Sequence, residues 1–234
     1  MKKMATYAVS DLHGCLAFYK AIKGYIQPED KVYFLGDAGD RGSEPWETIK
    51  AIAKDPQFIY IKGNHEEMLV DVMEDALRDS FSTPSIYLLA SNGGYETFEQ
   101  WLQEENKVFW KNYLQNLPHY ATYINPEGKL IILSHSGFTP YPSMDLSNID
   151  HLWDRDHIAD DWDDNFENTY IVHGHTPTPA LKSCDSTLAE KGNKAGALCY
   201  CDGHKIDIDN GAVFTGNCTL FNLDTFESVI FQSF

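Results

Sequence analysis

Five short segments rich in metal-binding residue types follow one another along the chain: Asp11-Leu12-His13-Gly14, Gly36-Asp37-Ala38-Gly39-Asp40-Arg41-Gly42, Gly63-Asn64-His65-Glu66, Ser134-His135-Ser136-Gly137 and Gly174-His175-Thr176. At roughly 5% usage per residue type, the five specified positions of Gly-Asp-x-x-Asp-Arg-Gly recur by chance at about one site in three million. Hydrolysis of a phosphate ester needs a nucleophile, neutralisation of charge on the phosphoryl oxygens and a proton for the leaving alkoxide. Two cations about 3.5 to 4 Å apart supply the first two. Asp11, His13 and Asp37 suit one cation and Asp37, Asn64, His135 and His175 the other, which makes Asp37 the bridge and brings Asn64 to the phosphate as well. Carboxylate, amide and imidazole donors suit manganese, iron or zinc better than calcium or a thiolate-seeking metal, and manganese is the first expectation.

A water bridging two such cations is hydroxide near neutral pH, so direct attack by that hydroxide is the expected chemistry. The chain has no Cys-x5-Arg loop for a covalent alternative, and Cys15 has no arginine close to it in sequence. His65 follows the Asn64 ligand and is read as the general acid, oriented by Asp40. Arg41 follows Asp40, and its planar fork suits phosphate oxygens.

These residues require elements that bring their segments together. Thr6 to Ser10, Lys31 to Leu35 and Phe58 to Lys62 are β-prone runs that each end just before a motif. Between them Leu16, Tyr19, Ile22, Lys23 and Ile26 keep helical spacing, and Glu44 to Ala53 reads as a helix capped by Ser43 with Pro45 in its first turn. The βαβαβ order predicts parallel strands with the motifs gathered at their carboxyl ends. Glu66 to about Leu117 reads as a helical, cap-like insert broken at Ser82-Thr83-Pro84 and Asn92-Gly93-Gly94. Leu130 to Ser134 and Tyr170 to His173 are two further strands. From Ala197 the pattern is β-hairpins with turns at Asp202-Gly203 and near Asp224, so a second sheet is expected. No linker divides the motifs, and residues 1–234 are read as one catalytic domain.

The Asp-x-His-Gly, Gly-Asp-x-x-Asp-Arg-Gly and Gly-Asn-His-Glu forms resemble the calcineurin-like metallophosphoesterase superfamily, and in particular its phosphoprotein phosphatase branch of small bacterial and phage serine/threonine phosphatases. The resemblance covers nearly the whole chain. It implies an α/β, four-layer fold of two central mixed sheets flanked by helices. It also implies metal roles for Asp11, His13, Asp37, Asn64, His135 and His175, and acid or phosphate-binding roles for His65, Asp40 and Arg41. Leu152-Trp153-Asp154-Arg155 resembles the segment that carries a second phosphate-binding arginine in small members, which extends that role to Arg155. Ile208-Asp209-Asn210-Gly211-Ala212 resembles the family's Ile-Asp-Thr-Gly-Ala segment, with Asn for Thr, and is read as structural support.

The formal charge of -17, from 35 acidic and 18 basic residues, argues against a nucleic-acid backbone or an anionic membrane as main partner, though not against a phosphorylated protein or small phosphate ester. No apolar run is long enough to span a bilayer. Only Ala5 to Val9 follow the basic Met1-Lys2-Lys3-Met4, too short for a signal peptide's apolar region, and the chain reads as cytoplasmic. The five cysteines fit reduced thiols. Cys184, Cys199, Cys201 and Cys218 lack the CxxC spacing of a zinc site and read as ordinary strand residues. Asp160 to Asp164 reads as a solvated acidic loop, His173 as packing beside the site, and His119, His151, His157 and His204 as ordinary residues. Trp101, Trp110, Tyr113 and Tyr120 fit a core better than a cleft lining.

Dephosphorylation of phosphoserine or phosphothreonine is the leading expectation. Hydrolysis of dinucleoside polyphosphates such as diadenosine tetraphosphate is the alternative, disfavoured because the bacterial enzymes of that kind usually lack the acid found here at Asp40. A noncatalytic phospho-binding scaffold ranks lower, since no ligand and no His65 is lost.

Overall fold

A computed structural model describes residues 4–78, 80, 83–142, 144–184, 193–194 and 196–233. Met1 to Lys3, Ser82 and the side chain of Cys184, all drawn on in the sequence reading, lie outside the described residues. The chain opens with β1 (Thr6–Val9), α1 (Leu16–Tyr25), β2 (Lys31–Phe34), α2 (Pro45–Lys54) and β3 (Phe58–Tyr60). Four helices follow: α3 (Asn64–Leu77), α4 (Thr83–Ser91), α5 (Tyr95–Leu102) and α6 (Lys107–Gln115). Then come β4 (Tyr120–Ile124), β5 (Leu130–Ser134), β6 (Thr169–His173), α7 (Thr178–Cys184), β7 (Asn193–Lys194), β8 (Ala197–Tyr200), β9 (Lys205–Asp207), α8 (Ala212–Thr215), β10 (Asn217–Asn222) and β11 (Glu227–Gln232).

The short helical crossovers force β1, β2 and β3 to run parallel, with Thr6 beside Lys31 and Val32 beside Phe58. The first sheet has the order β11-β10-β1-β2-β3 and the second β4-β5-β6-β9-β8-β7. Both mix parallel and antiparallel neighbours. Strand alternation sorts the side chains into layers. Ala8 of β1, Ile131 and Leu133 of β5, Val172 of β6, Ile206 of β9 and Phe221 of β10 meet between the sheets. Tyr7, Val9, Val32, Phe34 and Tyr60 point the other way, into a core shared with Phe18, Ile22, Trp46, Ile49, Met73, Trp101, Trp110 and Leu114 from the helices. On the outer face of the second sheet, Ile132 and Ile171 pack with Phe138. The result is helix, sheet, sheet and an outer layer of short turns, the four-layer α/β arrangement expected.

Several details differ from the sequence reading. Glu44, not Ser43, is the cap residue of α2, and its carbonyl accepts from the Thr48 hydroxyl at 2.7 Å. The insert is broken a third time at Gln103, where the Glu104 amide bonds back to the Trp101 carbonyl at 2.9 Å. Its helices share the core of the first sheet, which places Trp101 and Trp110 in that core. Strand β4, antiparallel to β5 and only half-buried, carries too little apolar alternation to stand out in sequence. Cys218 faces the helical core and Cys199 the space between the sheets, so these two do not converge.

Asp55, at the end of α2, ties that helix to α1. It accepts from Lys23 at 2.8 Å, Tyr19 at 2.9 Å and the Gln57 amide at 2.9 Å. Burial pushes its pKa up, but these donors more than offset that and hold it below the ordinary carboxylate range. A folded pKa below the unfolded value gives stability that is present above about pH 4 and is lost as pH falls through the folded pKa. Asp55→Asn is therefore expected to cost about 1 kcal/mol at pH 7, discounted for the partly exposed lysine. Urea unfolding at pH 7 and pH 3 tests this: the wild-type advantage should shrink at the lower pH, and a constant difference would exclude the charge as its source.

Candidate metal centre

The segments after β1, β2, β3, β5 and β6 leave the two sheets on one side and bond to one another. Asp11 N–H donates to Gly36 O at 3.1 Å, His13 N–H to Asp37 O at 3.0 Å and Gly174 N–H to His135 O at 2.8 Å. Asp11, His13, Asp37, Asp40, Arg41 and His175 all have φ between 41° and 70°, a region that side-chain-bearing residues seldom adopt. Six of the predicted site residues thus sit in strained backbone, which persists only where the surroundings fix it. Gly63 and Gly174 are required by close approach: a Cβ on the first would collide with the Asp37 carboxylate and on the second with that of Asp11.

The predicted metal ligands come together, all buried. Asp37 Oδ2 lies 3.6 Å from His13 Nε2, 3.4 Å from His135 Nε2 and 3.8 Å from His65 Nε2. His135 Nε2 is 2.8 Å from Asn64 Oδ1 and 3.1 Å from His175 Nδ1. Two donor groups share Asp37: one with His13 and His65, the other with Asp11 and His135. The grouping departs from expectation in drawing His65 close to the first site and Asp11 towards His135.

The donor chemistry fits divalent cations. His13 Nδ1 and His135 Nδ1 donate to the carbonyls of Gly39 at 3.1 Å and Leu35 at 2.7 Å, which turns both Nε2 atoms inward. Asp11 Oδ1 and His175 Nε2 are buried with no hydrogen-bond partner. Burial lowers the pKa of His13 to about 3 and of His175 to about 2, and raises that of Asp11 to about 6. His135 is opposite: burial disfavours its charge, but Asp37 and Asp11 raise it to about 10. Its Nε2 proton is the positive centre on which Asn64, Asp37 and His175 converge, and a cation can replace it.

Beside the cluster, Asp40 Oδ2 is 2.5 Å from His65 Nδ1, and its other oxygen accepts from the Thr97 hydroxyl of α5. Arg41 donates through one amino group to His13 Nε2 and through the other to His65 Nε2, both at 2.8 Å. Its Nε–H bonds to Asn92 O at 3.2 Å, and the ring of Phe214, 71% exposed, covers the guanidinium at 5.8 Å. Across the site the exposed Arg155 reaches Thr176 Oγ1 at 3.2 Å, and Trp153 stands edge-on to His175. His173 is buried away from the cluster, its Nε2 2.7 Å from the Tyr200 hydroxyl.

Two supporting residues had no assigned part in the sequence reading. Glu66 accepts from Asp37 N–H and Gly63 N–H at 2.8 Å, Ala38 N–H at 2.9 Å and the Tyr60 hydroxyl at 2.7 Å. A buried acid at the third position of α3, after its glycine cap, was the available signal. Thr97 gave none, because its partner Asp40 is 57 residues away.

The sequence matches the calcineurin-like phosphoesterase family over residues 4–204. It is 26% identical to serine/threonine-protein phosphatase 2 of Salmonella typhimurium over 93% of this chain and 92% of that protein. It is 27% identical to a symmetrical bis(5'-nucleosyl)-tetraphosphatase of Pseudomonas fluorescens over 60% of this chain and 45% of that protein. Among solved structures, a metallophosphoesterase of Sphaerobacter thermophilus superposes with a TM-score of 0.58 at 17% identity, covering 100% of this chain and 89% of that one. A serine/threonine phosphatase of Saccharomyces cerevisiae gives 0.59 at 14% identity, covering 99% and 80%. At these identities the superpositions show the fold.

Glu66→Gln would turn an amide NH2 against donors that need an acceptor. A loss of about 2–4 kcal/mol is expected, from weakened charged hydrogen bonds and stranded buried donors. Urea unfolding of the metal-free chain measures it, and an unchanged midpoint would show that the Glu66 bonds do not hold the loops.

Proposed function

The chain belongs to the calcineurin-like phosphoesterase family, and from that membership we propose that it is a metal-dependent phosphatase of phosphoserine and phosphothreonine in proteins. The observation that carries this reading is the 2.5 Å contact between Asp40 and His65, whose Nε2 faces the donor cluster. Asp11, His13 and Asp37 would hold one cation and Asp37, Asn64, His135 and His175 the other, with manganese the first candidate. When bound, such a pair supplies the nucleophile and neutralises charge on the phosphoryl oxygens.

The chain's own groups account for binding and protonation. Arg41 and Arg155, on opposite sides of the cluster, grip phosphate oxygens. In the present geometry Arg41 occupies His65 Nε2, so the imidazole hydrogen lies on Nδ1 towards Asp40. Phosphate draws the guanidinium away and frees Nε2. Burial disfavours the His65 cation, but Asp37 and Asp40 outweigh it and raise the pKa, so the freed ring takes up a proton and delivers it to the leaving alkoxide. Thr97 keeps Asp40 turned towards His65.

A second reading, hydrolysis of dinucleoside tetraphosphates, is favoured by the several curated relatives of that kind. Those similarities span less of this chain than the similarity to the protein phosphatase.

For the Mn²⁺-loaded protein, phosphate release from a phosphoserine or phosphothreonine peptide is expected to exceed cleavage of diadenosine tetraphosphate. His65→Asn should lower kcat by about 10²- to 10⁴-fold, the range for a lost general acid. Bound manganese should stay the same. Preferential dinucleotide cleavage would establish the second reading, and metal lost with His65 would make that residue a ligand rather than the acid.

A further inference from the structure

Between β5 and β6 the described residues from His135 to Asn168 form no strand or α-helix, only short 3₁₀ turns at Leu146–Asn148, Asp156–Ala159 and Asp164–Phe166. This stretch carries Trp153 and Arg155. Its bonds are local turns and aspartate caps, such as Leu152 N–H and Trp153 N–H to Asp150 Oδ1 at 2.9 and 3.0 Å, which shape each turn without fixing it to the sheet. An arginine on it therefore needs an external anchor to meet a phosphate within a few tenths of an ångström.

The anchor is Lys205 on β9, a strand paired on both sides, with β6 and β8. Its exposure is 0%, a rare position for a lysine. The ammonium meets three uncharged oxygens: Thr139 Oγ1 at 2.7 Å, His157 O at 2.5 Å and Asp160 O at 3.4 Å. Every one belongs to the irregular segment. His157 lies within the 3₁₀ turn that Arg155 caps and Asp160 closes, and Thr139 lies four residues beyond His135. The same layer holds the His157 ring edge-on to His173 at 5.1 Å, and His173 is two residues before His175.

We propose that Lys205 is a positioning residue for phosphate binding, fixing the 152–160 segment so that Arg155 reaches over the donor cluster; this rests on the reading of Arg155 as a phosphate contact. Lys205→Met keeps the length and apolar stem and removes the charge. It removes the charged donor shared by two carbonyls and a hydroxyl, leaving His157 O only the Asp160 N–H at 3.3 Å and the Thr139 hydroxyl at 3.5 Å, and Asp160 O the Cys201 thiol at 3.2 Å. The 152–160 turn therefore loosens while the donor cluster stays, its one member on this segment, His135, standing at the segment's first residue directly after β5. The effect falls on substrate affinity and not on the chemical step.

Two readouts on the Mn²⁺-loaded protein test this. Amide hydrogen exchange of the 152–160 segment should rise at least about tenfold in Lys205→Met, with α1 to α3 unchanged. KM for p-nitrophenyl phosphate should rise about five- to tenfold with kcat within about twofold, and the increase should vanish in an Arg155→Ala background. Thr139→Val removes one of the three acceptors and should give a smaller change in the same direction if Lys205→Met does not fold. Unchanged exchange, or unchanged KM where Arg155→Ala alone raises it, would overturn the proposal. Raised exchange with KM unmoved in both single variants would overturn it at its premise: Lys205 would still anchor the segment, but Arg155 would not bind phosphate.

Discussion

The carboxylate of Glu66 is where the loops after β2 and β3 are joined: three backbone amides and the Tyr60 hydroxyl converge on its two oxygens. Two of those amides belong to Asp37 and Ala38, so the acid that α3 brings in its first turn sets the position of the residue shared by both donor groups. The reciprocal bond, from His65 N–H to Asp37 Oδ1 at 3.0 Å, closes the link in the other direction. Burial raises the pKa of Glu66, with the Asp37 charge adding to it, so the arrangement concentrates negative charge that water cannot screen. Asp11, Asp37, Asp40 and Asp209 are buried in the same region. Cations are the natural complement of such a pocket, and its donor groups could hold them.

That electrostatic demand explains why the backbone tolerates left-handed conformations at so many side-chain-bearing residues. Each costs of order 1–3 kcal/mol, and each turns a donor atom inward that an extended loop would send outward. The strain is held by bonds between loops, such as His13 N–H to Asp37 O and Gly174 N–H to His135 O, together with tight turns within them, such as Gly42 N–H to Asp40 O. Where backbones must nearly touch, Gly63 and Gly174 leave out the Cβ that would strike a carboxylate. The glycines in the motifs therefore follow from the packing of the site as much as from turns.

Much of this was legible in the chain because the parallel βαβαβ start leaves its marks locally. Strands Thr6–Val9, Lys31–Phe34 and Phe58–Tyr60 each end one or a few residues before a motif, and the short crossovers fix their direction. The metal-type donors were legible for the same reason: each sits within three residues of a glycine in a short, recognisable segment. What could not be read was long-range. Thr97 meets Asp40 from a helix 57 residues on, and Lys205 meets His157 across 48. Neither residue type carries a local signal, and a lysine in a short β-prone run reads as a surface residue. The third break in the helical stretch was missed because Gln103 and Glu104 are ordinary helix formers whose turn is set by Trp101 burying its ring.

The two arginines that flank the cluster are held by unrelated means. Arg41 is fixed from the helical side, by the Gly93 and Asn92 carbonyls of the turn between α4 and α5 and by the Phe214 ring. Arg155 stands on the irregular layer outside the second sheet. The donor cluster between them draws on both sheets, so on the proposed reading a change in the support of one arginine would act on one phosphate contact and leave the other, with Arg41 the more closely tied to the donors through its bonds to His13 and His65. This separation suits a fold whose relatives act on such different phosphate compounds as proteins and dinucleotides. On the proposed reading the central donors would meet the phosphate common to such compounds, while the flanks would meet the groups attached to it. In this chain an exposed aromatic stands beside each flank, Phe214 over Arg41 and Trp153 edge-on to His175. Chain length and net charge are silent on that choice, because a charge of -17 spread over the whole surface does not describe a mouth lined by two guanidinium groups.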